Sequence, residues 1–251
     1  MGYQSTTIKS KWVKTKWLLK KKEVGNYVPH TLLFNRGNLD RMLSRHATVY
    51  FKPTGGSGGF HIHRIKKREH GYQVQHNAKH NHYSTVKGLY GYLNQRRRGR
   101  SYLLQKGIQL ATVNGRPFDI RVMVQKSRAG VWKSTAMFTK IGKPGKVATN
   151  YNQGGAIGYF GETLSRANFS KEMILRKERE LKNLGRSVGH IFDKHSSGFR
   201  ELGLDVALDR TGRAWILEVN TRPQFYPLKQ MKDKTMYRRI LAHGKHYGRK
   251  K

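Results

Sequence analysis

Cysteine is absent from the 251 residues, acids are scarce and long apolar runs are missing. Without cysteine there is no disulfide and no thiolate-bound zinc. No stretch of 18 apolar residues occurs, so no transmembrane helix is expected. The opening MGYQSTTIKSKWVKTKW is basic but has no continuous apolar segment, so no secretory signal is expected. Gly2 with Thr6 fits a myristoylation pattern only as loosely as chance allows. The chain reads as intracellular, in the cytoplasm. Only 14 acidic residues oppose 51 basic ones, giving a formal net charge of +37. Such a field attracts polyanions, either nucleic acid or another acidic polymer, and says nothing about the fold. The chain is long enough to bury a core as one large domain or two small ones.

Periodicity gives alternating elements without an internal repeat. GNLDRMLSRH sets Leu39, Met42, Leu43 and His46 on one helical face, with Asn38 as the expected cap. ATVYF reads as a buried strand ending at Lys52, and FHIHRI and GYQVQHN as two more. STVKGLYGYLNQRRR is expected to be a helix capped by Ser84, followed by strands at YLLQK, FDIRVMVQK and VWKSTAMFTKI. Residues 142–161 read as loop. A long helix capped by Ser170 follows, with Gly185 and Gly189 expected to weaken its second half. The hairpin LGLDVAL–DRTG–RAWILEVN comes next, then a helix fraying into a basic tail. Strands that neighbour each other as hairpins, mixed with helices, indicate an α+β fold.

Three stretches carry chemistry. In YFKPTGGSGG, glycines lack the Cβ that would keep backbone amides from phosphate oxygens, and the strand-end Lys52 could meet a phosphate. No Gly-Lys-Ser/Thr follows, so this is not a Walker A loop; a flexible hairpin would have the same composition. Strand alternation puts Glu218 and Asn220 on one face, and the hairpin brings Asp205 opposite, with the register open by about one residue. Two carboxylates and an amide are oxygen donors suited to Mg²⁺ beside phosphate. Pairing with the abundant arginines is the alternative. FDIRV places Asp119 and Arg121 on one face, either as a phosphate-facing arginine or as an intrastrand ion pair.

Taken in order, these pieces resemble the ATP-grasp fold. YFKPTGGSGG precedes a hinge strand, YLLQKGI, then FDIRV, then TNYNQGG, and last an Asp thirteen residues before Glu-x-Asn. More narrowly, KPTGGSGG, GRPFDIRVMVQK and EVNTRPQ are similar to segments of the endospore coat-associated YheC/YheD-type family, over about residues 27–230. The resemblance implies two α+β subdomains with mixed or antiparallel sheets clamping a nucleotide. Residues 1–46 would be a basic segment and linker helix, 47–108 the lid subdomain, 109–240 the metal-bearing subdomain and 241–251 a basic tail. It implies that Lys52, Thr54, Gly55, Gly56, Ser57, Gly58 and Gly59 hold phosphates, and that Gln105, Lys106 and Ile108 meet adenine. Asp119 would support the nucleotide, Arg121 would face the transferred phosphate, and Asn150, Gly154 and Gly155 would line the reaction centre. Asp205, Glu218 and Asn220 would hold Mg²⁺, and Arg222 would orient an acidic substrate. The implied activity is ATP-driven activation of a carboxylate as an acylphosphate for attack by an amine, in a spore coat-associated setting. Two departures stand out: only about 46 residues precede the first nucleotide strand, and Gln105-Lys106 replaces the usual acidic hinge residue.

Other signals carry less. His61, His63, His70, His76, His80 and His82 could bind zinc or nickel, but no acid accompanies them, so solvated or polyanion-facing imidazoles are expected. Arg96–Arg100 with Tyr72, Tyr83, Tyr90 and Tyr92 could track a nucleic acid, against a generally basic surface. Trp12 and Trp17 among lysines resemble an interfacial helix only weakly. Beside the ligase reading stand a spore-associated structural protein with a nucleotide site, and a polyanion-binding protein.

Overall fold

Two antiparallel sheets, each with helices against it, meet along one strand edge. The computed structural model describes residues 2–56, 61–143 and 154–250. The elements are α1 (Lys11–Leu19), α2 (Lys22–Gly25), β1 (Thr31–Leu33), α3 (Arg36–Arg45), β2 (Thr48–Pro53), β3 (His63–Arg68), β4 (Gly71–His76) and β5 (Lys79–Tyr83). There follow α4 (Val86–Arg97), β6 (Tyr102–Lys106), β7 (Thr112–Val113), β8 (Arg116–Lys126), β9 (Trp132–Ile141) and β10 (Ala156–Tyr159). The chain closes with α5 (Phe160–Arg166), α6 (Lys171–Asp193), β11 (Glu201–Leu208), β12 (Ala214–Asn220), a 3₁₀ turn at Tyr226–Gln230 and α7 (Thr235–Gly244). The first sheet has the order β1-β6-β2-β3-β4-β5, the second β10-β9-β8-β11-β12, with β7 beside β8. Among the described residues, no helix is long and apolar enough to cross a membrane.

Strand alternation decides which side chains reach the joint between the sheets. Val49 and Phe51 of β2, Ile65 of β3 and Leu104 of β6 join Leu39, Met42, Leu43, Leu89 and Leu93 of α3 and α4 in one core. Their neighbours Lys52, Leu103 and Gln105 therefore point to the opposite face, toward the second sheet. In β8, Ile120, Val122 and Val124 enter the core beneath α6, while Met123 enters a separate core with α7. Asp119 and Arg121 alternate to the Met123 side.

The cap of α3 is Asn35, whose Oδ1 accepts from the Asn38 N–H at 2.7 Å, not Asn38 itself; Thr85, rather than Ser84, caps α4. Two elements arise where loop or little structure was expected. β5 (KHNHY) is a polar edge strand with no apolar alternation to announce it, and β10 with α5 begins inside the segment read as loop. Residues ahead of the first expected strand divide between the halves: Leu18, Val24 and Val28 enter the α6 core, whereas β1 pairs with β6. Nor are the last residues a solvated tail. Tyr247 is buried, its hydroxyl donates to Glu201 at 3.0 Å, and Arg249 lies 3.4 Å from the same carboxylate.

Gly185 and Gly189 do not weaken α6; they let it approach the sheet. A Cβ at Gly189 would stand 2.5 Å from the Trp132 ring, and one at Gly185 2.7 Å from Val124. Trp132 cannot retreat easily, because its Nε1–H donates to Asp193 at 2.8 Å. Gly189→Ala should lower unfolding free energy by about 1–3 kcal/mol. Gly91→Ala, on the open side of α4 where an added methyl group meets only open space, should raise it by about 0.5–1 kcal/mol. Urea denaturation of the two variants checks both signs; a neutral Gly189→Ala would mean the helix–sheet spacing is not set by that glycine.

Candidate functional site

The second sheet gathers the acidic residues across three adjacent strands. Asp205 of β11 is the register partner of Arg121 on β8 and of Glu218 on β12. Arg121 Nε donates to Asp205 Oδ1 at 2.7 Å and Nη2 to Oδ2 at 3.3 Å, a forked pair. Its Nη1 donates to the Gln224 carbonyl at 3.1 Å. Asn220 Nδ2 donates to Asp205 Oδ2 at 3.2 Å. Gly203 leaves room for this packing, since a Cβ there would meet Pro223 at 2.5 Å and the Arg121 stem at 3.2 Å.

Lys140 on β9 was not singled out from the sequence, yet it ties the cluster together. Its Nζ lies 2.9 Å from both Asp119 Oδ1 and Asp205 Oδ1. A register shift in β9 makes Lys140 the partner of Asp119; counting back from the turn alone would have put Thr139 there. Burial alone would raise the Asp205 carboxyl, but Arg121 and Lys140 outweigh it and hold the group well below the usual carboxylate range. Burial likewise opposes the charge on Arg121 and Lys140, and the neighbouring carboxylates more than restore it.

From the first sheet, Lys52 crosses the joint. Its Nζ donates to Gln105 Oε1 at 2.7 Å and to the Leu217 carbonyl at 3.2 Å, one residue from Glu218. Gln105 Nε2 in turn donates to Thr31 Oγ1 at 3.0 Å, which fixes the acceptor. Burial lowers the Lys52 pKa to about 8, with Glu218 resisting the shift and Lys11 adding to it. Helix α1 closes the remaining side: Lys11 Nζ lies 3.3 Å from Glu218 Oε1 and donates to the Gly56 carbonyl at 2.5 Å. Lys14 is buried beside them, and burial lowers its pKa. Nothing in the spacing of these lysines to the glycine segment could have flagged them; the signal was a lysine at i and i+3 on the buried face of a helix.

The other expected residues divide. Thr54 Oγ1 donates to the Ser101 carbonyl at 3.1 Å, and Gly56 takes the left-handed φ of 93°. Ser57, Gly58, Gly59 and Asn150 lie outside the described residues. Gly154 and Gly155 precede β10, whose Ala156 pairs with Ile141, the residue next to Lys140. Gln105 and Lys106 lie on β6, whose outer edge is occupied by β1. Gln105 pairs with Thr31 and Tyr50, and the Lys106 N–H donates to the His30 carbonyl at 2.8 Å. Ile108 alone of the three lies beyond the paired strand. The Arg222 guanidinium lies over the Tyr3 ring at 4.7 Å.

Asp205, Glu218 and Asn220 offer hard oxygen donors from adjacent strands, a set whose chemistry fits Mg²⁺. Among the described residues, no three His, Cys, Asp or Glu converge as a metal site, at this cluster or elsewhere. His63 stacks on His76 at 4.3 Å, and burial, with His76 adding, lowers its pKa to about 4. Tyr72, Tyr83, Tyr90 and Tyr92 are half-buried and pack against the α3–α4 core. Trp17 stacks on His195 at 4.0 Å and edges Phe192, so its helix is docked on the protein.

The chain matches the family model described as YheC/D-like ATP-grasp over residues 3–250. It is 26% identical over 224 residues to endospore coat-associated protein YheD of Bacillus subtilis, covering 86% of this chain and 49% of that protein. It is 24% identical over 217 residues to endospore coat-associated protein YheC of the same organism, covering 85% and 59%. The chain thus spans about half the length of these relatives. Among solved structures it is similar to the C-terminal domain of K. lactis Pby1, an ATP-grasp enzyme interacting with the mRNA decapping enzyme Dcp2. The TM-score is 0.54 at 14% identity, with 96% of this chain and 74% of that one covered.

Removing the Asp205 charge leaves Arg121 and Lys140 buried together with one partner fewer. Asp205→Asn should cost about 3 kcal/mol of unfolding free energy. Because the folded pKa is depressed, the wild-type contribution is complete above the unfolded value near 4 and is lost as pH falls through the folded value. The gap between wild type and variant should therefore stay constant from pH 8 to 5 and narrow below 4 in urea titrations. A gap that widens in acid would contradict the paired assignment.

Proposed function

The chain belongs to the YheC/D-like ATP-grasp family, and from that membership we propose that it binds Mg-ATP between its two sheets and activates a carboxylate for ligation to an amine. The observation that carries the reading is the meeting of Lys52 from one sheet with the Leu217–Glu218 corner of the other at 3.2 Å. A cation for phosphate and oxygen ligands for a divalent metal thus stand on opposite sides of one joint.

In this reading, Lys52 and the Thr54–Gly56 backbone hold the polyphosphate. Asp205, Glu218 and Asn220 would hold Mg²⁺, which would supply charge neutralisation for the phosphate oxygens. Arg121, braced by Asp205 and the Gln224 carbonyl, presents a guanidinium whose position costs no reorganisation as charge develops on the transferring phosphoryl group. A substrate carboxylate oxygen attacks the γ-phosphorus, the bond to the β-phosphate oxygen breaks, and ADP leaves. An amine then attacks the acyl carbon, loses a proton and expels phosphate. Gly154 and Gly155 line that centre, and Arg222 orients the acidic substrate from the Tyr3 side. The two B. subtilis relatives are named for association with the endospore coat, and the proposal carries that setting to this chain. An anionic polymer in that setting is the partner that a +37 surface suits.

Calorimetric titration of Mg-ATP at physiological ionic strength tests the site, because screening there suppresses loose binding by the basic surface. Wild type should bind saturably and only with Mg²⁺, and Lys52→Ala and Glu218→Gln should each lose about tenfold or more in affinity. Phosphate release with a panel of carboxylates and amines then reads the ligase step. Weak binding of equal strength in all three proteins, fading with salt, would replace this reading with nonspecific polyanion binding.

A further inference from the structure

The narrow space where the sheets meet is lined by Lys11, Lys14, Lys52 and Glu218, together with Thr15, Leu103 and Leu217. All three lysines are buried, with Lys14 only 4% exposed. Lys52 is held by Gln105 and Leu217, and Lys11 by Glu218 and Gly56. Among the described residues, Lys14 Nζ makes no hydrogen bond. Its nearest charges are Glu218, which attracts it, and Lys11, which repels it. Asp205 offers little relief, being already engaged by Arg121 and Lys140. Three largely buried lysines thus crowd around Glu218, with the already engaged Asp205 as a weaker second attraction.

The sequence pattern sharpens the point. Lys11, Lys14 and Leu18 are spaced i, i+3, i+7, so they share the inward face of α1. Lys16 and Lys20 are exposed. The helix is fixed at both ends: Trp17 stacks on His195, and the Lys11 N–H donates to the Thr54 carbonyl at 2.6 Å. Its first turn is therefore stitched to the start of the glycine segment. We infer that Lys11 and Lys14 of α1 are phosphate-binding residues that form a third wall of the nucleotide cleft and add two cations to Lys52. A polyphosphate carries the charge that this excess lacks, and Lys11 can exchange its Glu218 contact for phosphate oxygens. The inference rests on the nucleotide site proposed above. As it stands, the space holds about 10 Å³, room for about one water, so nucleotide entry must part α1 or the first sheet from β12.

The same contacts allow the opposite role, a helix that plugs the cleft with Lys11 standing where a divalent cation would sit. The sign of one measurement separates them. Mg-ADP is titrated calorimetrically into wild type, Lys14→Met, Lys11→Met and the exposed control Lys16→Met, with thermal melts of each to verify folding. Methionine keeps the stem and removes the charge, so the fold is expected to survive. Affinity should fall about tenfold or more in Lys14→Met and Lys11→Met and stay unchanged in Lys16→Met. Equal affinity in wild type and Lys14→Met overturns the inference and leaves the nucleotide site standing. Tighter binding by the variants overturns it in favour of the plug. No binding by wild type overturns the site itself, and the inference with it.

Discussion

Asp205 faces Glu218 only because β12 carries one residue more than its partner strand. From Leu208↔Ala214 to Val206↔Ile216 the register is regular, and it then shifts so that Asp205 meets Glu218 while Leu217 is left over. Without that bulge, Asp205 would face Leu217 and the two carboxylates would be offset by a residue. The same bulge presents the Leu217 carbonyl to Lys52. A second bulge, at Thr135 in β9, brings Lys140 opposite Asp119 by the same one-residue shift. A slip of one residue turns a side chain to the other face of a sheet, so both bulges decide which residues share the site. Bulges that re-aim side chains beside functional sites are a recurrent use of the device.

Charge is balanced very differently on the two sides of the joint. Within the second sheet, Asp119 and Asp205 are matched by Arg121 and Lys140 at hydrogen-bond distance, so each buried ion has opposite charge beside it. Across the joint, Lys11, Lys14 and Lys52 line one narrow space with Glu218, the one acid among its described lining residues. In the first arrangement the charges balance; in the proposal above, an anion would balance the second. The overall charge of +37 could not reveal that difference, because most of the basic residues are spread over the surface, where water and salt screen them.

The residues of the carboxylate cluster were legible in the sequence, since Asp205, Glu218 and Asn220 stand in otherwise apolar strands of a chain with few acids. Leu39, Met42 and Leu43 announced α3 by periodicity, Ser170 announced the start of α6, and the order of motifs announced the fold. What stayed hidden lacked a local signal. β5 is polar on both faces, β10 follows a glycine- and asparagine-rich stretch, and the glycines of α6 looked like weaknesses until Trp132 and Val124 were found against them. The pairing of Gln105 with Thr31 was equally hidden, for a long-range reason: β1, over 70 residues earlier in the chain, takes the edge of β6.

Sequence alone determined the α+β class and the identity of most charged residues in the cluster, because alternation and helical periodicity are properties of a single segment. Tertiary structure alone decided the register at the two bulges, the recruitment of Lys140, and the delivery of Lys11 and Lys14 into the cleft. Each of these depends on contacts between segments far apart in the chain, where one extra residue or one docked helix changes which side chains meet, and no local pattern encodes that geometry.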